Sequence, residues 1–160
     1  MTNKILVTSG NIGDSAIDSL ISNGEKVRVA VRTIKKNPTW DAAGVEQVVF
    51  DYDKPETLKK AFEGIETYLS VSPLIENLVE TAMLTFDLAK KAGVKKIVRS
   101  SGMGASEDAQ ITLGKWHGQV ETALKNSGFL YTIIQPASFM QNYLKYKDSI
   151  DAQGSFYDPL

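Results

Sequence analysis

Three groups of residues have the types and spacing for chemistry. They are a glycine turn near the start of the chain, an arginine after the second apolar run, and a histidine four residues ahead of a glutamate. The turn is Ser9-Gly10-Asn11-Ile12-Gly13, between the apolar run 5–8 and a stretch of helical period that ends near Asn23. A strand that ends in such a turn at a helix start aims backbone N–H groups and the positive end of the helix dipole at one point, which suits a phosphate. Gly10 and Gly13 have the spacing of the last two glycines of a dinucleotide fingerprint, the close-approach and helix-packing positions. The first glycine is missing. Tight packing explains a glycine turn as readily as phosphate binding does, and both readings stand here.

Arg32 follows the run 26–31, with Thr33, Lys35 and Lys36 behind it. A dinucleotide site that selects NAD places Asp or Glu here to hold the ribose hydroxyls. Arg instead favours a 2′-phosphate, which a guanidinium binds bidentately, so this position points to NADP over NAD. The two lysines read equally as a solvated basic loop. The other apolar runs end in small, hydroxyl or acidic residues: Asp51-Tyr52-Asp53, Val71-Ser72-Pro73, Ser100-Ser101-Gly102 and Pro136-Ala137-Ser138-Phe139. Asp51 could accept from an adenine amino group, while Asp53 reads as the cap of the next helix. Several such strand ends together are a stronger signal than any one. His117 and Glu121 lie on one helix face. A lone histidine beside Trp116 is more often a packing residue than a catalyst, yet its ordinary pKa suits proton transfer if it faces the site.

These residues need elements to position them. Short apolar runs alternate with helix-period segments, the pattern of βαβ units and a parallel sheet. Strands are expected over 5–8, 26–31, 46–50, 67–71, 96–100 and 131–135, and helices over 13–22, 54–62, 75–92, 113–126 and 139–148. The first, second and sixth strands are apolar at successive positions, as when helices cover both faces. Asn23-Gly24, Glu63-Gly64, Ala92-Gly93 and Ser127-Gly128 read as helix stops. The segment 33–44, which carries Pro38, has room for only a short helix. Six strands with crossovers fill a doubly wound α/β sheet of order 3-2-1-4-5-6, whose ligands sit beyond the carboxyl ends of the strands.

The 160 residues suffice for one domain. A net charge of -1 supplies no basic field for nucleic acid or an anionic membrane. The absence of cysteine excludes disulfides and thiolate chemistry, and a single histidine argues against a multi-His metal site, so no metal is expected. With no signal-like N-terminus and no run long enough to span a bilayer, the expectation is a cytoplasmic protein.

The chain resembles the NmrA-like group of atypical short-chain dehydrogenases/reductases, which includes NAD(P)H quinone reductases, triphenylmethane reductases and redox-sensing regulators. The matching pieces are Lys4-Ile5-Leu6-Val7-Thr8 with Gly10-Asn11-Ile12-Gly13, Val29-Ala30-Val31-Arg32, and Asp51-Tyr52-Asp53-Lys54-Pro55. They continue with Val71-Ser72-Pro73, the stretch from Ala92 to Ser101, Trp116-His117 with Glu121, Ser127-Gly128, and Pro136 with Phe139-Met140-Gln141-Asn142. The resemblance implies a Rossmann domain that prefers NADP. It places Gly10, Asn11, Ile12 and Gly13 at the pyrophosphate and Arg32 at the 2′-phosphate. Asp51 is placed by the adenine, Ser72 and Pro73 by the ribose, and Pro136 and Phe139 by the nicotinamide, with Ser100 a further cofactor candidate at a strand end. Where the wider superfamily has Tyr-x-x-x-Lys, this chain has His117-x-x-x-Glu121, and His117 is the catalytic candidate.

Two departures are visible. The turn is two residues shorter than the family's Thr-Gly-Ala-Thr-Gly-Asn-Ile-Gly. The family also continues into a smaller substrate lobe, so residues 1–148 read as the cofactor domain and 149–160 as the start of that lobe. The expected activity is hydride transfer from NADPH to a quinone-like or aromatic small molecule. The alternative is a non-catalytic dinucleotide-sensing or partner-binding protein, for which a homodimer is the expected partner state. A sugar-nucleotide epimerase or dehydratase ranks lower, because it needs the absent Tyr/Lys pair.

Overall fold

The computed structural model describes residues 4–156. Residues 1–3 and 157–160, the latter part of the expected lobe start, lie outside the described residues. Six strands form one parallel sheet: β1 (Lys4–Thr8), β2 (Lys26–Val31), β3 (Glu46–Val49), β4 (Thr67–Val71), β5 (Lys96–Ser100) and β6 (Leu130–Ile134). Their order is β3-β2-β1-β4-β5-β6, the expected one. The helices are α1 (Asn11–Ser22), α2 (Pro38–Ala42), α3 (Pro55–Phe62), α4 (Leu78–Lys91), α5 (Thr112–Lys125) and α6 (Lys147–Gln153).

Neighbouring residues of β1 point to opposite faces, and both faces are covered. Leu6 joins Phe50, Leu58, Phe62, Tyr68, Leu78, Ile97, Val120 and Leu124 in the larger core under α3, α4 and α5. Val7 joins Ile17, Val29, Val31 and Trp40 in the smaller core under α1 and α2. That two-sided burial is why residues 5–7 of β1 and 29–31 of β2 are apolar at successive positions.

Three expectations fail. The sixth strand is not covered on both faces: Leu130 is 71% and Ile134 51% exposed. It is the edge of the sheet, with β5 on one side only. The helix expected over 139–148 divides into a 3-10 helix, Met140–Tyr146, followed by α6. No residue of that 3-10 helix is buried, so no packed apolar face stabilises an α-helix there. Finally, Asp53 does not cap α3. The Asp51 carboxylate turns back over the chain and accepts the Asp53 N–H at 3.1 Å. This Asx turn places Lys54 at the cap and Pro55 in the first turn.

Candidate active site

β1 and β4 pair only as far as Val7 and Leu69. Beyond them the strands are joined by one side chain. Thr8 Oγ1 donates to Val71 O at 3.0 Å and accepts from Val71 N–H at 3.1 Å. A crevice opens above this hydroxyl clamp, at the point where the chain direction through the sheet reverses. It holds a cleft of about 440 Å³ lined by the turn after β1, the end of β2, Phe50, Tyr52 and residues 71–74.

The shortened turn is built by three residues. Gly10 takes φ 149° and ψ 179°, a backbone shape that L side chains rarely adopt. Gly13 permits close contact, since a Cβ there would lie 1.9 Å from Thr8 O. Asp14 does from inside the helix what Gly10 has no side chain to do. Its Oδ1 accepts from Gly10 N–H at 3.0 Å and from the Ser9 hydroxyl at 2.7 Å. The first helical bond is Asp14 N–H to Gly10 O. The N–H groups of Asn11, Ile12 and Gly13 precede it and remain free of backbone acceptors among the described residues. Asn11 and Ile12 line the cleft.

Arg32 lines the cleft on the β2 side, and among the described residues no hydrogen bond or ion pair engages its guanidinium. Asp51 is committed elsewhere. Its Oδ2 lies 3.4 Å from Lys54 Nζ, and the Asp53 N–H first, then Lys54 and Arg32, hold its carboxyl below the usual range. Phe50 and Tyr52 stand edge to face at 5.4 Å, and both line the cleft while Asp51 does not. Burial pushes the Tyr52 phenol far up, so it stays protonated.

A second polar group lies deeper. Arg99 occupies the apolar phase of β5 and is fully buried. Its Nη1 donates to Ser72 Oγ at 2.6 Å and to Ser70 Oγ at 3.2 Å, and its Nη2 stands 3.4 Å from His117 Nδ1. Burial first, then the Arg99 charge, pull the His117 pKa down, with Glu121 opposing. Glu121 does not bond His117. It accepts from Ser101 Oγ and Gln135 Nε2, each at 2.7 Å, and from Lys125 Nζ at 3.3 Å. These donors outweigh desolvation and keep its carboxyl below the usual value. Gly118 brings α5 against the preceding loop, since a Cβ there would meet Ser106 C at 2.2 Å and Glu107 N at 2.5 Å.

The cleft therefore brings together Gly10, Asn11, Ile12, Arg32, Ser72 and Pro73. Gly13 supports it from below. Asp51, Ser100, Pro136, Phe139 and His117 are not among its lining residues. Ser100 lies at the carboxyl end of β5, Pro136 O accepts from Met103 N–H at 2.9 Å, and Phe139 is 43% exposed. His117 reaches the cleft wall only through Arg99 and Ser72. Sequence reasoning missed Arg99, Thr8, Tyr52 and Asp14. The signal for Arg99 was present: a cation shares its strand face with Ile97, in the apolar alternation of β5.

A family model described as NAD(P)H-binding matches residues 8–155. The chain is 34% identical over 152 residues to the NAD(P)H azoreductase of Xenophilus azovorans, covering 95% of this chain and 53% of that protein. Among solved structures, the NADPH-dependent quinone oxidoreductase of Escherichia coli complexed with NADPH superposes with a TM-score of 0.84 at 27% identity. That match covers 95% of this chain and 55% of the other. The Citrobacter triphenylmethane reductase complexed with NADP(H) gives 0.83 at 27% identity, covering 93% and 55%. The chain spans about half the length of the curated relatives it matches.

Proposed function

The chain belongs to the NAD(P)H-binding family, as an NmrA-like atypical short-chain dehydrogenase/reductase, and from that premise we propose that it binds NADPH and reduces a quinone-like or aromatic acceptor. The observation that carries this reading is Arg32, whose guanidinium has no hydrogen bond or ion pair among the described residues, on a cleft whose other wall is the start of α1. The residues fit the cofactor. The free N–H groups of Asn11, Ile12 and Gly13 would hold the pyrophosphate, Arg32 the 2′-phosphate, and Ser72 and Pro73 the ribose. Tyr52 and Phe50 would give the adenine an apolar neighbour, with Asp51 behind them. Ser100, Pro136 and Phe139 stand toward the nicotinamide end of the strands.

When bound, the cofactor supplies a hydride to the acceptor, which takes one proton besides. His117 would sit near the acceptor as a polar contact. Relatives that reduce azo compounds, quinones and triphenylmethane dyes support this acceptor class. On the same reading residues 1–148 are the cofactor unit of a cytoplasmic protein and 149–160 begin the substrate lobe. Among the described residues no helix is long and apolar enough to cross a membrane. Titration with NADPH and NADH, followed by nicotinamide fluorescence, tests the proposal. Tighter binding of NADPH and its oxidation by a naphthoquinone are expected; failure to bind either nucleotide at millimolar concentration rejects it. The shortened turn favours a second reading, a dinucleotide sensor, which predicts NADPH binding with no quinone turnover and a homodimer that forms with concentration.

A further inference from the structure

The cleft as described leaves Arg99 without a task. Its side chain has no exposed surface, and no carboxylate bonds it among the described residues. Its Nε has no hydrogen-bond partner among the described residues. Burying a guanidinium without a carboxylate carries the desolvation penalty of a buried ion. An aliphatic side chain would pack β5 without that cost. What Arg99 does is join the hydroxyls of Ser70 in β4 and Ser72 just after it to the imidazole on α5.

A guanidinium carries donors only. At its contact with His117 the proton therefore belongs to Arg99, and Nδ1 supplies the lone pair. A neutral imidazole that accepts at Nδ1 must carry its proton on Nε2. We propose that Arg99 is a positioning residue that holds His117 as the neutral Nε2–H tautomer while tying it to Ser72 on the cleft wall. A second proton on Nδ1 would point straight at the guanidinium cation. Glu121, one turn along α5, is the group that favours a charged ring, but Ser101, Gln135 and Lys125 engage its carboxylate. No other titratable group among the described residues bears on the ring. The Cδ2 edge of the ring packs toward Gly102, where a Cβ would lie 3.6 Å from it. Among the described residues no hydrogen bond engages Nε2.

The consequence rests on the proposed reduction. An acceptor oxygen or nitrogen gains negative charge as hydride arrives, and a neutral N–H meets it with a hydrogen bond whose strength does not change near neutral pH. His117 is then a donor that keeps its proton, and the proton that completes the reduction comes from solvent.

His117 is the chain's only histidine, so 15N-histidine labelling of the full chain gives a single ring to follow. Without any nucleotide, the wild-type ring should show an unprotonated Nδ1 and a protonated Nε2, and should stay neutral through pH 6.5. R99M keeps the volume and removes the charge, and should raise the protonation midpoint by about one pH unit, a tenfold gain in proton affinity. R99K keeps a cation without the fork. It should lie between the two and lose the bonded Nδ1 shift. A proton on Nδ1 in the wild type overturns the proposal even if R99M does not fold, and so does a midpoint unchanged in R99M. With NADPH and a naphthoquinone, kcat should be level across neutral pH for the wild type and acquire an acid limb in R99M; a limb in both overturns it. If no NADPH binds while the ring behaves as stated, the reductase reading fails and the positioning role stands.

Discussion

Arg32 and Asp14 act on opposite sides of one turn. Arg32 brings a free positive charge to the cleft, and a charge-assisted bond to a phosphate contributes about 1.5–3 kcal/mol. R32A should therefore weaken NADPH by roughly tenfold or more and leave NADH nearly unchanged. Equal weakening of both nucleotides in parallel calorimetric titrations would remove Arg32 from the 2′-phosphate role. Asp14 instead closes the turn onto the helix through Gly10 N–H and Ser9 Oγ. Replacing a side-chain cap by alanine costs about 1 kcal/mol, so D14A should lower the unfolding free energy by about that much, read as a lower urea midpoint at unchanged slope. An unchanged midpoint would mean that Ser9 and Gly10 hold their shape alone. The family's extra turn residues are thus replaced here by a reciprocal contact from within the helix.

At the scale of elements, two glycines set how closely helices approach the rest of the fold. G13A would press a Cβ against Thr8 O, a backbone atom that cannot swing aside, and overpacking of this kind costs about 1–3 kcal/mol. The expected result is a destabilised chain whose α1 has moved off β1, seen as faster amide exchange in residues 14–20. G118A would press on Ser106 and Glu107 in the same way and should speed exchange in residues 103–109. Protection unchanged in either variant would show that the helix shifts freely. Gly13 is legible in the sequence because its spacing belongs to a fingerprint. Gly118 is not, because glycine inside a helical pattern reads only as a weak helix former. The same limit governs larger pieces. Sheet order and nearly every strand follow from local periodicity and crossover rules. The exposure of β6 and the division of 139–148 depend on what lies beside them, and no local pattern encodes a neighbour. The cleft was legible where it is made of strand ends; the Arg99 network was not, because it joins β4, β5 and α5 through side chains far apart in the sequence.

The whole molecule carries these local shifts into its dependence on pH. His117, Glu121, Glu46 and Asp51 all have folded pKa values below their ordinary ones. Burial and then Arg99 lower His117. For the three carboxyls, hydrogen bonds and cations overcome desolvation or add to a backbone bond. The sign is the same for all four: the unfolded chain binds more protons, so stability rises with pH across each window. The His117 contribution is complete above its ordinary value of 6.5 and is lost as pH falls through the folded value. The carboxyl contributions are complete above 4.5 for Glu and 3.8 for Asp, and are lost below. Between pH 6.5 and pH 4.5 the histidine is therefore the group among these four whose contribution is being lost. Wild-type urea midpoints should fall across that interval while H117Q gives a level line, and E121Q, which removes the charge that opposes the histidine's shift, should steepen the fall there. A level wild-type line there would mean that the folded ring accepts its proton as readily as the unfolded one. Arg99 and burial would then exert no net pull on it, and the coupling between the larger core and the cleft wall would have to run through Ser72 alone.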